Sequence, residues 1–252
     1  MDPEQLISCV LDIGEHMLLS GAEVGRVEDS MRLICTAYGC QRVDAFTITS
    51  SIVLSLITAD GKHITQTRRI SGDKTDLMKV HRLNHLSRRI CQEKPDYDFV
   101  SREIAAICSS KPYPLWLEAL ASAMIAWAFT MFFGGNLIDG LAATLMGLSC
   151  RYITHWMNQA GMNQVFVNVV ATFLLCLLSV GLTSLGLGQD PEKMIIGTIM
   201  LLIPGVGLTN SIRDLISGDI MSGLLRFFNA LLVAAAIAAG YILAGHALGG
   251  AL

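Results

Sequence analysis

Between Leu201 and Ala230 the chain reads LLIPGVGLTNSIRDLISGDIMSGLLRFFNA, and this stretch limits what the rest can become. Pro204, Gly205 and Gly207 interrupt an apolar run, and Arg213, Asp214, Asp219 and Arg226 follow within about four helical turns. Irregular backbone at membrane depth has to be buried in protein or line a wet cavity, because lipid offers its N–H and C=O groups no partners. Charges there must face inward and find one another. Broken helices with intramembrane charges are a common way for transporters to build a substrate site, so the stretch points to transport.

The surrounding composition agrees. With a mean hydropathy of +0.53 and 52% apolar residues, the 252-residue chain falls in the membrane class. Charge is uneven, since fourteen of the eighteen Lys and Arg and fifteen of the twenty-one acids lie in the first 111 residues. The expected fold is an α-helical membrane protein with an N-terminal cytoplasmic α+β domain (1–111). A transmembrane domain of about five helices (112–252) follows, the fourth broken at Pro204-Gly205. The opening MDPEQLISCVLDIGEH lacks the basic and apolar regions of a secretory signal, which predicts a cytoplasmic amino-terminal part. The net charge of -3 makes no electrostatic case for nucleic acid. Seven scattered cysteines with no CxxC spacing predict reduced thiols, with no disulfide framework, metal site or cofactor.

Within the first part, apolar spacings of four and three predict a helix over Pro3–Leu19, ended by Gly21, and a second over Glu23–Tyr38, capped by Gly39. Glu23, Arg26 and Glu28 either complement the helix dipole and pair locally or serve a domain or membrane interface. From Arg42 to Ile70 the period changes to two, predicting three strands with a hairpin turn at Asp60-Gly61. Asp73 is the expected N-cap of a helix reaching Cys91, with Asp76 as an acid in its first turn. On that helix His81 and His85 lie four apart, as do Asp12 and His16 on the first; both spacings fit solvated faces better than metal ligation. Asp96–Cys108 is a further amphipathic helix, and Lys111–Pro114 a linker.

The spans are expected at Leu115–Phe133, Leu137–Met157, Val165–Leu187, Lys193–Ile216 and Ile220–Leu248. The third carries Asn168, Thr172, Cys176, Ser179 and Thr183 as a polar stripe, which either joins helices or lines a route for solute. Loop charges orient the amino terminus to the cytoplasm and, after five crossings, the carboxyl terminus outside.

Taken together, several motifs resemble the threonine/serine exporter family in its short, two-component form. They are Gly21-Ala22-Glu23 with Arg26-Val27-Glu28, the strand block ending at Asp60-Gly61, and Pro204-Gly205 with Leu208-Thr209-Asn210. Arg213-Asp214, Gly218-Asp219, Ser222-Gly223 and Arg226 complete the set. Val24 stands where the family often has Thr. The resemblance implies a heteromeric exporter of small polar metabolites that works beside a separate small membrane subunit. Its implied substrate is threonine or serine, or, as in a similar two-component pair, succinate.

Helical spacing places Asp219, Ser222, Arg226 and Asn229 on one face, and Asn210 and Asp214 on another. The expected site holds a substrate carboxylate at Gly205–Asn210, including Gly207 and Thr209, with help from Arg213 or Arg226. Asp214 or Asp219 faces an ammonium or takes a coupling proton, and Glu118 and Asp139 are further candidate proton carriers. In the competing reading these charges form an ion network that only fixes helix packing. A hydrolase is disfavoured because no GxSxG, HExxH or Cys-His signature occurs, and a scaffold protein would not need a broken, charged helix.

Overall fold

The computed structural model describes residues 1–72, 74–110 and 113–249. Among them are ten helices and one three-stranded sheet. The chain clusters into two compact units, Met1–Lys111 with Gly205–Phe228, and Pro112–Pro204 with Asn229–Leu252. The segment 205–228, which the sequence reading counts with the spans, is thus grouped with the amino-terminal residues.

In the first unit, α1 (Pro3–Leu19) and α2 (Val24–Ala37) bury the apolar faces that their spacing predicts, including Ile7, Val10, Ile13, Met17, Val27, Met31 and Ile34. Strands β1 (Arg42–Ile48), β2 (Ser51–Ile57) and β3 (His63–Arg69) form an antiparallel sheet in the order β1-β2-β3. Alternation on β2 turns Ile52, Leu54 and Leu56 into the core beneath α1. The second hairpin closes where Asp60-Gly61 predicts, inside a loop in which Thr58 N donates to Lys62 O at 3.0 Å.

Helix α3 (Leu77–Glu93) begins later than its sequence suggests. Asp76 is its N-cap, accepting from Lys79 N at 3.0 Å, and residues 74–76 are non-helical. The expected cap, Asp73, lies outside the described residues, as do Lys111 and Pro112 of the expected linker. Helix α4 (Tyr97–Cys108) is capped by Asp96, whose side chain accepts from Phe99 N at 3.0 Å. Helix α9 (Gly205–Ser217) and the first turns of α10 (Ile220–Ala247) complete this unit.

The second unit contains α5 (Leu115–Phe132), α6 (Leu137–Gln159), α7 (Gln164–Ser184), α8 (Pro191–Ile199) and the remainder of α10. Among the described residues, α5, α7 and α10 are the three helices long and apolar enough to cross a membrane. The other two expected spans differ for identifiable reasons. Helix α6 has 23 residues but carries Asp139 and Arg151. The expected fourth span is interrupted, as its Pro-Gly break predicts, into two helices of 9 and 13 residues, each shorter than a membrane crossing. The interruption covers 200–204, with turn bonds from Leu201 N to Thr198 O and from Leu202 N to Ile199 O, and Gly205 already belongs to α9.

The polar stripe of α7 is turned inward. Asn168, Thr172, Cys176 and Ser179 are all buried, and the Ser179 hydroxyl donates to Pro191 O at 3.0 Å. Gly240 of α10 packs against the Val169 carbonyl and Thr172, an approach that leaves no room for a Cβ. Close packing on a small residue is the use of such stripes that joins helices.

Candidate functional site

The α1–α2 turn is where the early and late motifs meet. Gly21 takes φ +88°, a left-handed backbone that costs glycine nothing, and so reverses the chain after α1. The turn leaves the Gly21 and Ala22 carbonyls to other partners. Asn210 on α9 donates its side-chain amide to Gly21 O at 2.9 Å, and Arg226 on α10 donates Nη2 to Ala22 O at 2.8 Å.

The start of α2 is completed in the same way. The first N–H groups of a helix need acceptors, and the Glu23 side chain at the N-cap position makes no capping bond. Asp214, 190 positions along the chain, approaches instead, with Oδ1 at 3.4 Å from Val24 N. A carboxylate there also meets the positive end of the helix dipole. Glu23, released from capping, pairs with Arg213 and lies 3.6 Å from Arg26 Nη2.

Asp214 is 1% exposed, yet its bonding is incomplete. Its Oδ2 lies 3.4 Å from Arg226 Nε, close enough for an ion pair but not aligned as a hydrogen bond. Neither atom has another partner among the described residues. Buried charges left short of hydrogen bonds are costly, and such a pair holds unspent capacity for a ligand.

Asp214 of this pair lines a cleft of about 660 Å³, within the size range of small-molecule sites. Glu23, Glu28, Asp29, Asp214 and Asp219 line it against Arg26, Arg88 and Arg213. Asn84, Ser87 and Ser217 add neutral polar groups, and Gly25 leaves open the space where a side chain would approach Asp219. Burial pushes the Glu28 carboxyl above its ordinary value, and the neighbouring Asp219 charge adds to the rise. The bond from Thr47 N to Glu28 Oε1, 2.7 Å, opposes it. Burial also pushes the Cys35 thiol up to about 12 and the Cys9 thiol up to about 11, so neither is poised as a nucleophile.

Of the residues named from sequence, Arg213, Asp214 and Asp219 line the cleft. Asn210 and Arg226 do not line it and are committed to turn carbonyls. Thr209 bonds back to Gly205 O at 2.9 Å. Gly205 is exposed and Gly207 partly so, both within the first turn of α9. Of the expected shared face, Asp219 precedes α10, while Ser222, Arg226 and Asn229 lie on it at helical spacing, Ser222 buried and Asn229 exposed. Of the two further proton-carrier candidates, Glu118 accepts from Arg151 Nε at 3.0 Å. Asp139 accepts three backbone N–H groups, from Asn136, Gln189 and Asp190.

Sequence reasoning missed Asp29, Asn84, Ser87 and Arg88 as cleft-lining groups, and it did not join Glu23 and Glu28 to the late cluster. A signal for the second was present. Glu23, Arg26 and Glu28 crowd the first turns of a helix whose N-cap residue is a poor capper, which leaves helix donors seeking an acceptor from elsewhere.

Known proteins resemble this chain in sequence. The profile of the threonine/serine exporter family, ThrE, matches residues 8–248. A probable threonine/serine exporter of Mycobacterium tuberculosis is 27% identical over 95% of this chain, which spans 45% of that protein. The threonine/serine exporter of Corynebacterium glutamicum is 27% identical over 90% of this chain, spanning 48% of its length. A probable succinate transporter subunit YjjP of Klebsiella aerogenes is 27% identical over 94% of this chain and 90% of its own. This chain therefore spans about half of the longer exporters and most of the shorter subunit. No solved structure gives a significant match. With a match across nearly its whole length, the chain belongs to the threonine/serine exporter family.

Proposed function

We propose that the chain is the larger subunit of a bacterial plasma-membrane exporter of small polar metabolites, with threonine- or serine-type amino acids as substrate. In this reading it is multi-pass, with about five crossings, a cytoplasmic amino-terminal domain, and a separate small membrane subunit completing a hetero-oligomer. The observation that carries the substrate class is the charge of the cleft. Five carboxylates facing three guanidinium groups leave an acidic excess, which suits an ammonium more than a second carboxylate. One of the arginines takes the amino acid's carboxylate, while Asp219, Glu28 or Asp214 faces its ammonium.

A second reading, dicarboxylate export, is favoured by the length match to the YjjP subunit. The name of that relative, a transporter subunit, also motivates the partner. Efflux of labelled threonine, serine and succinate from vesicles containing the chain, with and without a candidate partner and under an imposed pH gradient, separates these readings. Threonine or serine flux that depends on the partner supports the proposal. Succinate flux alone supports the second reading, and no flux of any of the three sinks both.

A further inference from the structure

Helix α3 presents two faces to two different spaces. Asn84, Ser87 and Arg88 line the cleft. His81, Arg82, His85 and Arg89 line a separate groove of about 350 Å³, which Glu103 of α4 also borders and whose apolar wall includes Leu86 and Ile107. The spacing explains the division, since residues 81, 85 and 89 stack at intervals of four while 84 and 88 repeat that interval on another side.

The chemistry of the groove is one-sided. Two guanidinium groups and two imidazoles supply N–H donors against a single carboxylate, so its bonding capacity calls for an acceptor-rich ligand. Arg89 is already held in place. Its Nε donates to Glu93 Oε2 at 2.9 Å and its guanidinium carbon lies 4.7 Å from the centre of the Phe99 ring. Its two Nη groups have no partner among the described residues, and Arg82 makes no ion pair among them. A guanidinium fixed on one edge and one face presents its remaining planar fork with little loss of freedom, which suits a phosphate. A metal ion does not account for the two histidines: among the described residues no three His, Cys, Asp or Glu side chains are placed to hold one.

We propose that this groove binds a small phosphate-bearing anion, with Arg82, Arg89, His81 and His85 around the phosphate and Leu86 and Ile107 against its organic part. Because α3 also carries Arg88, occupancy of the groove reaches the cleft through one helix. This places a regulatory ligand beside the proposed transport site, and only this regulatory role rests on the transport reading; binding stands or falls by itself.

The test uses the full chain in detergent, titrated by calorimetry with inorganic pyrophosphate, adenosine monophosphate and a short-chain phosphatidylglycerol at constant ionic strength. Saturable binding is expected, weakened about tenfold by Arg82→Ala, which corresponds to roughly 1.4 kcal/mol. Glu103→Gln should tighten it, an opposite sign that a general loss of structure would not produce. Arg42→Ala, which removes an exposed arginine of β1 that lines neither the groove nor the cleft, should leave it unchanged. Binding of the soluble anions assigns the phosphate to a metabolite, whereas binding of the lipid alone, with the same Arg82 dependence, assigns it to a headgroup. The proposal is overturned if none of the three binds, if Arg82→Ala binds as tightly as the unaltered chain, or if Arg42→Ala weakens binding as much as Arg82→Ala does.

Discussion

Two aspartates, Asp139 and Asp214, are equally buried at 1% exposure and are used in opposite ways. Asp139 has both oxygens satisfied. Its Oδ2 accepts from Asn136 N at 3.1 Å, and its Oδ1 accepts from Gln189 N and Asp190 N at 2.6 and 3.1 Å. It closes a capping box at the start of α6 and ties that turn to the one before α8. Asp214 has one long bond from Val24 N and one poorly aligned arginine. The contrast teaches that burial alone does not mark a working carboxylate. A saturated one is mortar between turns, while an under-bonded one at the edge of a polar cleft can exchange partners.

The largest effect is expected from Asp139→Ala. It strips three backbone N–H groups of their acceptor at about 1–3 kcal/mol each, less whatever water recovers, so a loss of about 3–6 kcal/mol is expected. The unfolding midpoint should fall steeply, with any lost flux tracking lost folded protein. Normal stability with abolished flux would make Asp139 a proton carrier after all.

Asp214→Asn should show the reverse balance. Its folded state keeps an acceptor for Val24 N, and the cost is expected at about 1–3 kcal/mol, mostly from leaving Arg226 without its counter-charge. Export should fall at least tenfold in vesicles with equal amounts of folded protein. If flux and stability decline in proportion, the cluster is only a packing device.

A smaller effect is expected at the rim. Arg213 is 58% exposed and Glu23 20%, so Arg213→Glu and Glu23→Arg should each cost no more than about 1 kcal/mol. The double swap should recover most of that loss. A double-mutant cycle with no coupling would show that their pairing contributes nothing measurable.

The smallest effect concerns pH. Burial raises the Glu28 carboxyl, so the folded chain binds its proton more tightly than the unfolded chain does. That contribution is complete below the unfolded value and disappears as pH rises through the raised folded value. Glu28→Gln, which cannot ionise, should flatten stability against pH across and just above the carboxylate range. An unaltered slope would remove Glu28 from the account.

Local elements were largely legible in the sequence. Period-four apolar residues placed α1 and α2 within a residue of their ends, and Val and Ile alternation placed the three strands. The start of α3 was not legible, because Asp73 and Asp76 are chemically equivalent as caps and nothing local chooses Asp76. The candidate site was half legible. Arg213, Asp214 and Asp219 stand out as charges in apolar surroundings, but periodicity is a local signal. It carries no information on a bond between Asn210 and Gly21, which are 189 positions apart. Arg88 escaped notice for a related reason: on a helix rich in basic residues, nothing local distinguishes the one that faces a cleft.

That sequence separation has a consequence for how the protein is made. The α1–α2 turn leaves the ribosome early, yet the groups that satisfy Gly21, Ala22 and Val24 are added some 190 residues later. At about 5–20 residues per second, this interval is on the order of ten to forty seconds. During it, the first carbonyls of the turn and the opening N–H groups of α2 must be served by water or by a chaperone. The amino-terminal part is therefore finished last where it was begun first, and synthesis of α9 and α10 acts as the closing step of its assembly.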